Sequence, residues 1–324
     1  MDVDAALATL LSPVVLFFAL GFGAGLGRSS LAVPEAVAKG LSLYLMLAIG
    51  FKGGVEMNHA GLDPTLLRTV VAGLVAGLGI PLVAYAALRK TTALGGLDAA
   101  SVAAHYGSIS VVTFVAATEH VERTLGSYAG FIVAIVALME TPAIVAGLLL
   151  ARRAERGKGA RFGGALMREV FLNGSVVLLL GSLLIGAITG DEGYRSLAPF
   201  IASPFKGVLC LFLLDMGVTA ARRLQDATAM STRLVAFGLL MPLVSAALGL
   251  ALAVMAGLDA ATGALFVTLC GSASYIAVPA AMRIAVPKAN PAYSLGLSLG
   301  ITFPFNLTLG IPLYAAAAAR VLGS

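Results

Sequence analysis

Two short serine motifs are the residues of this chain whose types and spacing could do chemistry. The first is Gly107-Ser108-Ile109-Ser110 and the second is Gly271-Ser272-Ala273-Ser274, each inside a long apolar run and each preceded at a similar distance by the tetrapeptide LDAA. Glycine and serine interrupt a helix, and a serine at the break can cap the helix that resumes after it. Two such helix ends would offer hydroxyl and amide N–H groups to a small anion.

The candidate anion-binding residues come from both motifs and their flanks. Small residues can also serve close helix packing in a membrane, and this is the alternative interpretation of one motif taken alone. Because the motif recurs in the same order in the second half of the chain, we favour one shared anion site. Its predicted residues are Gly107, Ser108, Ser110, Thr113, Gly271, Ser272, Ser274 and Tyr275.

Three further polar residues inside apolar runs are candidates for coupling to a cation. Glu140 and Asp215 are carboxylates, which cost about 2.5–3.5 kcal/mol each at the centre of a bilayer and are usually functional. Asn306 follows Pro304 and could complete a cation site through its amide. The alternatives are a structural ion pair for Glu140, a hydrogen bond within the bundle for Asp215 and packing for Asn306.

The remaining ionisable residues predict no metal site and no catalytic centre. A serine protease would need a histidine on another helix. The chain has three histidines, of which His105 lies in the same predicted helix as the first motif, and His59 and His120 fall in predicted loops. His105 could titrate beside the first motif, or simply hydrogen-bond a neighbour. Lys52 and Lys206 are expected to extend to the membrane interfaces. We expect neither enzyme activity, a cofactor nor a nucleic-acid partner.

Composition indicates an all-α membrane protein. The 324 residues are 59% hydrophobic and only 11% charged, and their mean hydropathy is +0.98. We predict ten transmembrane helices, of which helices 4 and 9 are broken at the serine motifs, because non-helical backbone at membrane depth must be buried in protein or line a cavity. The predicted spans are centred near Phe18, Leu45, Gly77, Ser108, Ala137, Leu179, Leu213, Ala246, Ser272 and Thr302. Predicted breaks between them include residues 119–126 and 189–195.

Basic residues orient the predicted helices. They concentrate in alternate breaks, above all in the loop at 152–168, which the positive-inside rule places in the cytoplasm. Both termini then face outside an inner (plasma) membrane. The same loop divides the chain into residues 1–155 and 156–324, with five helices each. Because five is odd, the second repeat is inverted relative to the first, which is a transporter architecture.

Several runs of the chain resemble the sodium-dependent bicarbonate transporter family. They are SPVVLFFALGFGAGLGRSSLAVPEAVAKG, SYAGFIVAIVALMETPAIVAGLLLARR and RIAVPKANPAYSLGLSLGITFPFNLTLGIPLY. The resemblance implies bicarbonate as the substrate and sodium as the coupling ion. It also implies ten spans in two inverted halves, a core domain that moves against a gate domain, a homotrimer, and a PII-like regulator at the cytoplasmic face.

The chain departs from the pattern of this family at the predicted site. Tyr275 stands where the family has an aspartate, and Val111 and Val112 stand where a Gly-Ser pair is usual, whereas Glu140 occupies the position of an aspartate. A phenol attracts a cation less than a carboxylate does, so the resemblance predicts one weakened sodium site.

Together these features predict a secondary active transporter that imports bicarbonate or a similar small anion with sodium. The alternative within transport is a sodium-coupled organic anion carrier of the bile-acid symporter type. A pocket for only a few heavy atoms would favour bicarbonate. An intramembrane serine protease is the alternative of another class.

Overall fold

The computed structural model describes residues 11–60, 64–154, 174–227, 230–275 and 277–323. Within these ranges the chain is helical and forms no strand, as composition predicts. We number the helices in chain order: α1 Pro13–Leu26, α2 Glu35–Ala60, α3 Pro64–Thr91, α4 Gly96–Gly107, α5 Val111–Thr124, α6 Ile132–Ala154, α7 Gly174–Ile201, α8 Phe205–Ala227, α9 Thr232–Ala256, α10 Ala260–Cys270, α11 Ala277–Ala285 and α12 Pro291–Leu322.

Both serine motifs interrupt helices, as predicted. The first break separates α4 from α5, and the second separates α10 from α11. Helix α12 is continuous but contains two π-helical stretches, Gly296–Thr302 and Asn306–Gly310, on either side of a short segment around Pro304. Proline removes a backbone N–H, and π-helical turns are frequent at functional sites.

Seven helical segments in the described ranges are long and apolar enough to span a membrane, counting α4 with α5 as one. The structure therefore supports a multi-pass membrane protein but falls short of ten spans by this measure. Helix α1 has 14 described residues and α10 has 11, which are short of the roughly 20 residues that cross a bilayer. Helix α8 is long enough, but its charged residues Lys206, Asp215, Arg222 and Arg223 lower its hydropathy.

Two predicted interhelical breaks have the wrong extent. The break predicted at 119–126 begins only after Thr124, where α5 ends, and the break predicted at 189–195 is a kink at Gly190 inside α7, which continues to Ile201. In α7 the polar stretch produces a kink at Gly190, whose φ of 54° is a conformation that favours glycine, rather than a loop. Polar residues at the end of α5 are accommodated because they pair with residues of other helices, as described below.

The first two helices pack crosswise with helices of the second half. Helix α1 lies against α8, where a Cβ on Gly21 would come within 2.0 Å of the Leu214 carbonyl oxygen. Helix α2 lies against α7, where a Cβ on Gly54 would come equally close, 2.0 Å, to the Leu183 carbonyl oxygen. Such glycines let helix backbones approach closely in membranes. An inverted repeat would produce this exchange of partners between the two halves. The repeat itself stays a prediction, because its boundary at 155/156 lies outside the described residues.

Candidate functional site at the two helix breaks

The first break is a buried, extended segment between α4 and α5. Ser108 has φ −91° and ψ 171°, and Ser110 has φ −107° and ψ 109°. The Ser110 hydroxyl oxygen accepts a hydrogen bond of 3.1 Å from the Thr113 backbone N–H and a second, 2.9 Å, from the Thr113 hydroxyl. Ser110 therefore caps α5, and this capping is the local reason why the helix resumes at Val111.

The second break repeats this design between α10 and α11. The Ser274 hydroxyl oxygen accepts a hydrogen bond of 3.4 Å from the Val278 backbone N–H, at the start of α11. The Ser272 hydroxyl donates to the Leu269 carbonyl, 2.8 Å, and so satisfies a carbonyl at the end of α10. Each motif thus uses one serine to begin the helix that follows it.

The two breaks are hydrogen-bonded directly to each other. The Ser110 backbone N–H donates to the Ser272 hydroxyl oxygen at 2.9 Å, and the Ser274 backbone N–H donates to the His105 carbonyl oxygen at 2.8 Å. These bonds join residues from the two halves of the chain inside the protein. The structure therefore brings the two predicted motifs together.

Two hydroxyl groups at this junction have no hydrogen-bond partner in the described part of the chain. They are the Ser108 Oγ and the Tyr275 Oη, and both side chains are buried. The Tyr275 hydroxyl lies near the Ser110 side chain but makes no hydrogen bond of good geometry with it, since the Ser110 Oγ already accepts two bonds from Thr113. The Tyr275 ring packs edge-on against Phe303, with ring centroids 5.4 Å apart. A buried hydroxyl without a partner costs about 1–3 kcal/mol, so these two groups are suited to a ligand.

The glycines of the two motifs have a packing role. A Cβ on Gly107 would come within 2.0 Å of the Pro81 ring on α3, and one on Gly271 would lie 3.0 Å from the Tyr314 ring on α12. Only glycine permits these approaches without a shift of the neighbour. Gly107 and Gly271 therefore let α3 and α12 close over the breaks, whereas the serines supply the polar groups.

Side chains of α12 hydrogen-bond to the second break and to neighbouring helices. The Asn306 amide donates to the Gly271 carbonyl oxygen at 2.8 Å, and the Asn306 Oδ1 accepts from the Tyr314 hydroxyl at 2.8 Å. Thr302 likewise donates to the Gly238 carbonyl oxygen at 2.7 Å and pairs with Tyr106 at 2.6 Å. Thr302 ends the first π-helical stretch and Asn306 begins the second. The irregular turns of α12 thus place Asn306 at the second break and Thr302 against α4 and α9.

The residues predicted to couple a cation are not joined by any described contact. Glu140 is buried in α6, where 5% of its surface is exposed, and Asn306 lies at the second break. Asp215 lies on α8 in the wall of a large cavity. The described structure shows no single cation site formed by all three.

The large cavity has a volume of about 730 Å³ and reaches Tyr275. Most of its described walls come from α2 and α8, and a few residues come from α7, the second break, α11 and α12. Apolar side chains such as Phe212 and Leu299 alternate there with charged ones. The basic residues Lys39, Arg222 and Arg223 outnumber the acidic residues Glu35 and Asp215, and a cleft with excess positive charge attracts anions.

A second, smaller pocket of about 180 Å³ is bordered by two ion pairs. Lys52 on α2 pairs with Glu122, and Lys206 on α8 pairs with Glu119, so that both carboxylates come from α5. The expectation that these lysines extend to the membrane interfaces missed these partners. Glu119 and Glu122 are three residues apart and therefore lie on one helix face, a spacing that could have revealed them had α5 been extended past residue 118.

Tyr128 also borders this smaller pocket, in the segment between α5 and α6. Burial, and next the negative charge of Glu122, raise the pKa of Tyr128 above its ordinary value. The phenol therefore stays neutral at any physiological pH and can donate a hydrogen bond at this face.

Comparison with known protein families identifies one match over nearly the whole chain. Residues 13–319 match the model of the Na+-dependent bicarbonate transporter superfamily. No curated protein matches the sequence.

Proposed function

Because the chain belongs to the Na+-dependent bicarbonate transporter superfamily, we propose that it is a secondary transporter that carries bicarbonate or a similar small anion across the membrane with sodium. The observation that carries this proposal is the pair of hydrogen-bonded breaks, at which the Ser108 and Tyr275 hydroxyls are buried and unpaired within the described structure. Membership of a transporter family also supports the expectation that the chain is not an enzyme.

An anion at this junction would meet several hydrogen-bond donors. The Ser108 and Tyr275 hydroxyls can each donate, and the first backbone N–H groups of α5 and α11 have no carbonyl partner within their own helices. The N-terminal end of a helix also carries about half a positive charge. This arrangement is held in place by the bonds that cap α5 and α11 and by the bond between the two breaks, which involve Ser110, Thr113, Ser272 and Ser274.

The cavity and the two ion pairs support transport by alternating access. The large cavity offers a route from one membrane face to Tyr275, while the ion pairs connect α5 to α2 and α8 at another face. The positive-inside prediction puts Arg222 and Arg223 in the cytoplasm, and on that basis the proposed state is inward-facing. In this proposal the gate contains α1, α2, α7 and α8, and the core contains the helices that carry the breaks.

Sodium coupling is proposed through Glu140, with Asp215 and Asn306 as further candidates. Tyr275 supplies no charge where the resemblance expects an aspartate, so we expect fewer sodium ions to be carried per anion. The homotrimer, the PII-like regulator and the orientation in an inner membrane stay predictions, and most of the loop at 152–168 lies outside the described residues.

One observation favours a second candidate, an organic anion carrier. The cavity of about 730 Å³ is far larger than a few heavy atoms need, and it falls within the ~300–1,000 Å³ that is typical of pockets for organic ligands. Its apolar side chains could cover the body of an organic acid while the carboxylate reaches the breaks. An open vestibule in front of a small site would also have this volume. The volume alone therefore does not favour an organic anion over bicarbonate as the substrate.

Competition during uptake separates the two candidates. The purified protein is reconstituted in liposomes, and uptake of radiolabelled bicarbonate is measured with and without an inward sodium gradient. We expect sodium-stimulated bicarbonate uptake that amphipathic organic monocarboxylates inhibit weakly. Strong inhibition together with sodium-driven uptake of the labelled organic acid itself would replace bicarbonate by the second candidate. Uptake of neither anion would contradict both.

A further inference from the structure

A third cavity, separate from the anion junction, contains a buried histidine. It has a volume of about 140 Å³ and lies between α4, α11, the segment after α11 and the start of α12. Ser101 and His105 line it from α4, Met282 from α11 and Ser294 from α12. Asp98 at the start of α4 accepts a hydrogen bond of 2.8 Å from the Asn290 backbone N–H and thereby ties the connecting segment to α4.

The histidine has a defined tautomer. His105 Nδ1 lies 2.7 Å from the Ser101 carbonyl oxygen, and because a carbonyl only accepts, Nδ1 must carry a proton. In the neutral ring the Nε2 is then an acceptor. It has no hydrogen-bond partner in the described part of the chain, although only 1% of the residue is exposed.

His105 is connected to both the anion junction and the large cavity. Its own backbone carbonyl accepts the Ser274 N–H that links the two breaks. The cavity that contains His105 and the large cavity of about 730 Å³ share Pro279 and Leu295 as walls, so these two cavities lie side by side. A charge on the imidazole would therefore lie close to an anion bound at the breaks.

The lining determines which ligand fits. The described lining residues include no basic side chain, which disfavours an anion, and the described residues contain no group of three side chains that could hold a metal ion. A lone acceptor nitrogen among hydroxyl groups and proline residues suits a hydrogen-bond donor, namely water or the proton that water delivers.

We propose that this cavity is a proton-uptake site, at which the Nε2 lone pair of His105 binds a proton delivered by water when the anion binds. The imidazole becomes an imidazolium, whose positive charge offsets the negative charge of the bound anion. The proton leaves the Nε2 when the anion is released on the other side of the membrane. No electrons are transferred. The inference deepens the proposed transport of an anion and rests on it, adding the proton as a coupling ion.

Apart from His105, the described residues that line the cavity carry no titratable side chain. Glu140 is a buried carboxylate on α6, a helix that packs against α4. The side chain of Arg283 lies outside the described part of the structure. The other titratable or charged groups on α4 and the elements packed against it are Asp98 and Tyr106 on α4, Arg68, Tyr85, Arg89 and Lys90 on α3, Arg152 and Arg153 on α6, Lys288 after α11, and Tyr293, Tyr314 and Arg320 on α12.

The test uses the full-length protein in liposomes without sodium. Uptake of radiolabelled bicarbonate is measured with and without an inward proton gradient while the membrane potential is clamped, and counts from protein-free liposomes are subtracted to remove diffusion of carbon dioxide. At bicarbonate concentrations well below half-saturation, where uptake follows affinity, the native protein should take up bicarbonate about tenfold faster with the gradient, because the affinities of two coupled ligand sites typically change by about 5- to 150-fold. His105→Gln keeps a hydrogen-bonding side chain but cannot take up the proton, and should abolish this stimulation.

Two further variants separate proton uptake from a structural effect. Ala289→Leu fills part of the cavity without changing His105 and should also reduce the stimulation. His59→Gln removes an exposed histidine that pairs with Asp191 and should leave it unchanged.

The possible outcomes distinguish this inference from the proposed function. Uptake driven by sodium but indifferent to the proton gradient in the native protein would overturn the proton site alone. A stimulation retained by His105→Gln would also overturn it. No uptake of any anion under either gradient would overturn both proposals. If His105→Gln does not fold, the native gradient response and the Ala289→Leu variant still decide the question.

Discussion

Ser108 and Tyr275 differ from the other polar residues at the helix breaks because their hydroxyls are unpaired within the described structure. The Ser110, Ser272 and Ser274 hydroxyls cap helix ends or join the two motifs. Residues that look equivalent in the repeated sequence therefore have different roles. Ser108 and Ser272 occupy the same place in the two motifs, but only Ser272 has its hydroxyl engaged, so the site is asymmetric where a ligand would bind.

Tyr275 is the residue at which ion coupling can be tested directly. A charge pair about 4 Å apart is worth about 4 kcal/mol at an effective dielectric constant of about 20, so Tyr275→Asp should increase the dependence of uptake on sodium. Tyr275→Phe, which only removes the hydroxyl, should weaken the binding of the anion without changing the dependence of uptake on sodium. Uptake measured against sodium concentration gives both results. A native Hill coefficient near two that Tyr275→Asp leaves unchanged would place the cation sites elsewhere.

Glu140 should be required for coupling rather than for folding. A bound cation stabilises an adjacent carboxylate, and Glu140 forms no ion pair with a described residue despite its burial. Glu140→Gln should therefore reduce the sodium stimulation of uptake while the protein still elutes as a folded species in detergent. A variant that unfolds would make Glu140 structural, and one with native sodium stimulation would make it irrelevant to coupling.

At the scale of the helices, close packing around glycine fixes where the breaks lie. A Cβ on Gly107 would collide with the Pro81 ring at 2.0 Å, whereas one on Gly79, in the same region of α3, would meet nothing within 4 Å. Gly107→Ala should lower the thermal unfolding temperature in detergent, because overpacking a core costs about 1–3 kcal/mol. Gly79→Ala is the matched control and should unfold near the native temperature. Equal unfolding temperatures for both variants would mean that α3 and α4 can separate at little cost.

The sequence predicts these elements well where local chemistry decides them. The G-S-x-S motifs locate both breaks because glycine and serine interrupt a helix and cap the next one. Prediction from the sequence fails at the end of α5, where polar residues suggest a loop. There Glu119 and Glu122 stay helical because Lys206 and Lys52, distant along the chain, pair with them. Which hydroxyls stay unpaired also depends on contacts between the two halves, so no local pattern could show it.

At the scale of the whole molecule, the two ion pairs are suited to a reversible contact between moving parts. Exposed ion pairs contribute only about 0–1 kcal/mol each, and the Lys52–Glu122 and Lys206–Glu119 side chains are 26–53% exposed. They can therefore hold α5 against α2 and α8 in one state without preventing the other. The packing of α1 with α8 and of α2 with α7 through glycines is closer and is expected to persist in both states.

Neutralising both carboxylates should open the face at which they pair. In Glu119→Gln/Glu122→Gln we expect faster labelling, by a membrane-impermeant thiol reagent, of Thr118→Cys, which lines the pocket between the pairs. Loss of up to ~2 kcal/mol would raise the open population by up to about thirtyfold. The double variant without Thr118→Cys is the control, because Cys210 and Cys270 are buried. Unchanged labelling would show that the ion pairs do not hold this face closed.

The crossed helix breaks are proposed to bind the transported anion. The most direct test is the concentration dependence of radiolabelled bicarbonate uptake in proteoliposomes for the native protein, Ser108→Ala and Ser298→Ala. Loss of one hydrogen bond to a charged ligand costs about 1.5–3 kcal/mol, so Ser108→Ala should raise the half-saturating concentration about tenfold to a hundredfold. Ser298 is equally buried, but its hydroxyl donates to the Ser294 carbonyl of its own helix, so Ser298→Ala should match the native protein. Native half-saturation in Ser108→Ala would contradict an anion site at the breaks.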